Sequence, residues 1–219
     1  GRDSSRGACA QPCRYQYYLM EEKRPGEYFP VFEDNKGTYI MNSRDMCMID
    51  HVAELMDAGL NSLKIEGRAK SAYYAAIVTG AYRHAIDAAA QGIPLDPVWR
   101  DEVEKVSHRH YSTGFYYGYP GQFYEDSRYI RDWQVAAIVQ DCTADGLATL
   151  SLRNKFKAGD QVELVGPGCK PMAFAAPMMT DEEGNSLEEP KKPQMLFQMQ
   201  LPHAVPPLSI LRREVGLTP

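Results

Sequence analysis

Residues 15 to 41 alternate aromatic or apolar positions with polar ones (Tyr15, Tyr17, Leu19; Tyr28, Pro30; Tyr39, Met41) around the turn formers Pro25-Gly26 and Asn35-Lys36-Gly37. A period of two broken by such turns predicts short strands and hairpins. Past Asp45 the period changes. Met48, Ile49, Val52, Leu55 and Met56 fall at helical spacing; with Asp45 as cap and Gly59 as stop they predict a helix of about three turns. Leu60 to Gly67 has the length and apolar content of a short buried strand. From Ser71 onward, Tyr73, Ile77, Ala81, His84 and Ala88 recur at intervals of three and four, the pattern of a second, longer helix. A parallel strand between two helices cannot satisfy its own edges. The segment is therefore expected to belong to a larger α/β sheet or barrel whose partner strands this chain does not contain.

Pro94 and Pro97 interrupt the helical pattern, a short helix is expected over Val98 to Val106, and Ser112 to Gly118 reads as an aromatic-rich loop. Beyond residue 128 the apolar runs shorten to Gln134 to Val139, Leu147 to Leu152, Gln161 to Val165, Met195 to Gln200 and Ser209 to Arg212, separated by Gly, Pro, Asp and Asn. That spacing predicts a small all-β barrel or sandwich. Asp181 to Lys192, acidic and proline-containing, is expected as an exposed hairpin loop. The fold class that follows is α/β plus all-β, with 1–128 a partial α/β barrel domain and 129–219 a small β-barrel domain.

Composition narrows the classes. With 219 residues, 44% of them hydrophobic, the chain can bury a core. No run approaches the roughly 20 consecutive apolar residues of a membrane helix, and the first residues are polar and carry arginine, unlike a signal peptide. Neither a membrane partner nor export is expected. A net charge of −5 excludes a globally basic nucleic-acid-binding surface. A local patch remains open, since Arg2, Arg6 and Arg14 face only Asp3 in the first fourteen residues. Five cysteines, at 9, 13, 47, 142 and 169, are an odd set too sparse for a disulfide scaffold. They read as thiols or metal ligands in a reducing, cytoplasmic setting. The Gly/Ser/Arg-rich start at Gly1 has no preceding element to anchor it, and a truncated chain is expected.

Cys9, Cys13 and Cys47 cluster within 39 residues. Soft thiolates gathered from separate loops suit an iron–sulfur cluster, although the spacing matches neither a zinc finger nor a ferredoxin run, and three ordinary thiols would read the same way. Cys47 is expected in the first turn of its helix, where the macrodipole favours a thiolate. Cys142 and Cys169 read as structural or free thiols. Lys64, Glu66 and Arg68 alternate with apolar neighbours at the predicted end of a parallel strand, where α/β barrels place functional groups. They suit either a pocket for an anionic ligand, with Glu66 a candidate acid or base, or a solvated strand end with a local ion pair. His84 reads as a packed core histidine. Tyr111, Phe115, Tyr116, Tyr117, Tyr119, Phe123 and Tyr124 offer stacking surfaces for unpaired bases or packing for a linker. Neither a nucleophile paired with histidine nor a phosphate-cradling glycine loop is recognisable.

Four stretches together carry a resemblance: Gly1-Arg2-Asp3; Arg6-Gly7-Ala8-Cys9-Ala10-Gln11-Pro12-Cys13-Arg14; Met41-Asn42-Ser43-Arg44-Asp45-Met46-Cys47; and Lys64-Ile65-Glu66-Gly67-Arg68. They resemble the cluster-binding and barrel-closing region of the collagenase-like U-class peptidases, in particular the branch that uses prephenate to hydroxylate the wobble uridine of tRNA. Asn154-Lys155-Phe156, Gly159-Asp160 and Gly166-Pro167-Gly168 resemble that branch's C-terminal β-barrel, itself similar to barrels of translation factors. The resemblance implies an enzyme with tRNA and a small dicarboxylate metabolite as partners. It also implies a 4Fe-4S cluster with Cys9 and Cys47 as two ligands, and with two more in a barrel segment preceding Gly1. Cys13 matches a family position but is the weaker candidate ligand. Lys64, Arg68 and Glu66 become candidate substrate-binding or catalytic groups. A collagenase-like peptidase and a non-catalytic RNA- or partner-binding fragment are the alternatives.

Overall fold

The computed structural model describes residues 32–34, 37–39, 44–118, 120 and 129–216. They form a mixed fold with many strands and few helices, and the chain divides into two units, Gly1–Cys47 with His108–Tyr129, and Met48–Ser107 with Ile130–Pro219.

In the first unit, β1 (Phe32–Asp34) and β2 (Gly37–Tyr39) pair antiparallel, with Phe32 opposite Tyr39. The other strands and turns expected between residues 15 and 31 lie outside the described residues. β3 (Asp45–Met46) pairs in parallel with β4 (Tyr111–Ser112). Asp45 is thus a strand residue and not the helix cap expected of it.

The second unit opens with a 3-10 turn at Ile49–His51 that runs into α1 (Val52–Asp57), shorter than the predicted helix and without a side-chain cap. Gly59, at φ +84°, follows its last turn in the left-handed conformation that suits a helix stop. The long helix α2 (Ala72–Ala90) starts as predicted, with Ser71 Oγ accepting the Tyr74 N–H, and buries Ile77, Val78, Ala81, Ala85 and Ala88. α3 (Pro97–Glu104) begins with Asp96 as cap and Pro97 in the first turn, a combination that fixes φ and satisfies an otherwise orphaned amide.

The predicted strand Leu60–Gly67 is absent. Its burial still alternates, with Leu63, Ile65 and Gly67 partly covered and Lys64, Glu66 and Arg68 exposed, and Ile65 packs on Ile77, Val78 and Val106. A strand is defined by its ladder, and no described strand pairs with this one.

The β region is one curled antiparallel sheet of eight strands: β5 (Trp133–Cys142), β6 (Leu147–Leu152), β7 (Gln161–Val165), β8 (Met172–Ala175), β9 (Met179–Thr180), β10 (Ser186–Leu187), β11 (Leu196–Gln200) and β12 (Ile210–Glu214). Their order is β10-β9-β11-β6-β5-β12-β7-β8. The five predicted runs are all strands. β8, β9 and β10 went unpredicted because four, two and two residues are too short to show a period. Asp181–Lys192 does begin as a hairpin, β9 to β10, whose turn Asp181 closes by accepting from the Glu183 and Asn185 amides. Val139, Leu150, Leu164, Phe197, Met199 and Leu211 fill the core on one face of the sheet.

A bulge sets the other face. Between Leu211 and Arg212 the pairing with β5 skips Ala136, whose carbonyl accepts instead from the amides of Arg153 (2.8 Å) and Asn154 (3.1 Å). Leu211 enters the sheet's core, while Arg212 meets side chains of α2 and α3.

Candidate functional site

Cys47 is the one sequence-predicted ligand among the described residues; Cys9 and Cys13 lie outside them. Its amide donates to Ser112 O (2.9 Å), as the Asp45 amide does to His110 O (3.1 Å), so Cys47 prolongs the parallel ladder. The expectation that it occupies the first turn of a helix is therefore corrected: ladder bonding holds it one residue before the Met48 cap position, and the helical turn starts at Ile49. What fixes this half-buried thiol is the strand pair, not a helix dipole.

Side chains reinforce that short ladder. The Asp45 carboxylate accepts from the Arg109 amide (3.0 Å), Nε (3.0 Å) and Nη2 (2.9 Å). The Arg109 guanidinium also lies 5.6 Å from the centroid of the Tyr129 ring. His108 is buried and stacked on Tyr111 at 4.3 Å and 6°. Its Nδ1 is 2.8 Å from Arg109 O, and a carbonyl can only accept, so Nδ1 carries the proton. As a soft donor held in place by its backbone, Cys47 fits one ligand position of an iron–sulfur cluster.

Lys64, Glu66 and Arg68 belong to the second unit and stand on one side of the Leu63–Arg68 segment, as the alternation predicts. Lys64 Nζ is 3.8 Å from Glu66 Oε2, with the two side chains 86% and 71% exposed, and Glu66 Oε1 accepts the Arg68 amide at 3.0 Å. They form an exposed row of two cations about a carboxylate, able to meet an anionic group from solution. His84, expected as a core residue, is half-buried and stacks on Trp99 at 3.6 Å. Phe115, Tyr116 and Tyr117 are exposed.

The sequence reading missed a buried charged centre in the second unit. Arg212, 0% exposed, donates from Nη2 to Glu102 Oε1 (2.6 Å) and Glu163 Oε2 (2.7 Å), from Nε to Glu163 Oε2 (3.1 Å) and from Nη1 to Tyr73 OH (3.1 Å). Lys105 Nζ reaches Glu163 at 3.0 Å and Glu102 at 3.3 Å. Both cations lie against Trp133, at 4.8 Å for Lys105 and 5.0 Å for Arg212. Two acids meet two bases, so the centre is neutral and ties α2 and α3 to β7 and β12. Burial alone would lower the Arg212 pKa, but the Glu102 hydrogen bond and the surrounding negative charge outweigh it and raise the pKa above its usual value. Burial pushes the Tyr73 phenol up, and the Arg212 charge offsets this only in part. The available signal was Glu163 and Arg212 inside runs otherwise read as strands.

A helix-bearing segment with a strand-fixed cysteine, followed by an antiparallel β domain, defines a two-part α and β protein. The chain belongs to peptidase family U32: the model of that family matches residues 1–126, and the model of its C-terminal domain matches residues 131–212. It is 35% identical over 210 residues to tRNA hydroxylation protein P of Escherichia coli, covering 76% of this chain and 46% of that protein. It is 30% identical over 219 residues to tRNA hydroxylation protein P1 of Bacillus subtilis, covering 97% and 52%. A Porphyromonas gingivalis protein named collagenase is 34% identical over 118 residues, covering 52% and 27%. The chain thus spans about half the length of the first two relatives. No helix among the described residues is long and apolar enough to cross a membrane.

Proposed function

We propose that the protein acts in tRNA modification, as an enzyme of the oxygen-independent 5-hydroxylation of wobble uridine with prephenate as co-substrate. The observation that carries this reading is the similarity to relatives named tRNA hydroxylation proteins, which extends over both family-model segments. In this reading residues 1–128 are part of a (β/α) barrel, and Cys9 and Cys47 hold two positions of a 4Fe-4S cluster. Cys13 is a weaker candidate for the same cluster. When bound, such a cluster supplies one-electron redox chemistry, tuned by its ligands and their surroundings.

The chain's own residues would bind and orient. Lys64 and Arg68 offer cations to the two carboxylates of prephenate, Arg68 through its planar fork and Lys64 as a point charge. Glu66, between them, is the candidate for moving a proton. The exposed Phe115, Tyr116 and Tyr117 offer stacking faces for unpaired bases of an anticodon loop.

Nucleoside mass spectrometry of tRNA from a strain lacking the gene tests the reading. Wobble 5-hydroxyuridine and its derivatives should disappear. Unchanged nucleosides would reject the reading in favour of a collagenase-like peptidase, the name carried by the P. gingivalis relative, or of a non-catalytic RNA- or partner-binding role.

A further inference from the structure

The Asp45–Arg109 contact is built more heavily than an ordinary surface ion pair. Three donors of one residue, two from its guanidinium and one from its backbone, converge on one carboxylate across 64 positions of sequence, with both side chains partly buried. The element they brace is a parallel pair only two residues long on each side. A ladder that short supplies too few hydrogen bonds to fix a strand by itself. Cys47 sits two residues after Asp45, and in a strand positions i and i+2 share a face about 7 Å apart. The Asp45 clamp therefore acts on the stretch of backbone that carries the thiol, and His108, stacked on Tyr111 and bonded to Arg109 O, stiffens the opposing strand.

We infer that Asp45 and Arg109 are positioning residues for Cys47: their charge-assisted clamp holds the parallel strand end at which Cys47 presents its sulfur to an iron–sulfur cluster. The inference rests on the proposed role of Cys47 as a ligand. Polar groups behind a ligand commonly decide whether a site is preorganised, and their loss costs about 10–100-fold in metal affinity. Asp45→Asn keeps the shape but removes the charge; Arg109→Lys keeps the charge but removes the fork.

The test uses the protein expressed from its whole reading frame and purified without oxygen, as wild type, Asp45→Asn, Arg109→Lys and Cys47→Ala. Iron retention is measured against a graded chelator, with the visible and electron paramagnetic resonance spectra of the cluster. In the iron-free protein, mass spectrometry follows the alkylation rate of Cys47 relative to Cys142 in the same chain. The expected result is chelator resistance lowered about 10–100-fold in both clamp variants, an altered resonance spectrum, and a severalfold faster Cys47 rate at unchanged thermal midpoint. Should Asp45→Asn fail to fold, Arg109→Lys decides alone. Chelator curves, spectra and alkylation ratios that all match wild type would overturn the clamp while Cys47→Ala still loses iron. Retention of normal iron by Cys47→Ala would overturn the ligand reading and the clamp together, so the two failures are distinct.

Discussion

Replacing Arg212 by methionine keeps most of the side-chain length and removes the charge that organises the buried centre. Four hydrogen bonds disappear, to Glu102, twice to Glu163, and to Tyr73. Glu102 stays 2% exposed, its Oε1 left with Lys105 Nζ at 3.3 Å and its Oε2 without a hydrogen-bond partner among the described residues. Breaking a buried ion pair by removing one partner costs about 3–5 kcal/mol, because the survivor remains charged and out of water. Lys105, 19% exposed, still compensates part of this charge, so the expected loss is at the lower end, about 3 kcal/mol. For a unit of this size that is a drop in thermal midpoint of roughly 6–12 °C. Urea unfolding followed by tryptophan fluorescence reads it directly, since Trp133 lies against Arg212. Arg212→Met combined with Glu102→Leu removes both charges and should recover most of the loss, as apolar replacement of a buried pair often does. A single variant costing under about 1 kcal/mol, or a double variant no more stable than the single, would refute the argument by showing that these charges are effectively solvated in the folded protein.

Three further outcomes follow from particular contacts. The folded-state pKa of Tyr73 is raised, so its contribution is fully present below the ordinary tyrosine pKa of 10.0 and is lost as pH climbs through the higher folded value; urea midpoints of Tyr73→Phe between pH 8 and 11 should lose that alkaline decline. Gly146, at φ +89°, leaves a Cβ only 2.9 Å from Leu201 O, so Gly146→Ala should lower stability by about 1–3 kcal/mol in urea. Ser71→Ala removes the cap bond to Tyr74 N, and the thermal midpoint should fall by the equivalent of about 1 kcal/mol.

Where local chemistry decides structure, the sequence was readable. Ser71 marked the start of α2, Gly59 marked a stop, the short helix expected over Val98 to Val106 appeared as α3, and the five apolar runs past residue 128 became strands. Where a distant partner decides, it was not. Asp45 looked like a helix cap because acids commonly serve there, yet Arg109, 64 positions on, claims its carboxylate for a strand. Leu60–Gly67 has a strand's alternation but no described neighbour to give it a ladder. Arg212 followed by Arg213 reads as a polar strand end, and only the Ala136 bulge and the acids of α3 and β7 turn the first of them into a buried anchor. The candidate site was legible to the same degree. Lys64, Glu66 and Arg68 share a side as their spacing requires, while the setting of Cys47 depends on a parallel partner that no local pattern announces.

The central proposal is that tRNA hydroxylation depends on the thiols Cys9 and Cys47. Its most direct test supplies a strain lacking the gene with wild-type, Cys9→Ala or Cys47→Ala protein at matched levels and measures wobble 5-hydroxyuridine in total tRNA by mass spectrometry. Wild type should restore the nucleoside and neither variant should; restoration by either variant would contradict the account.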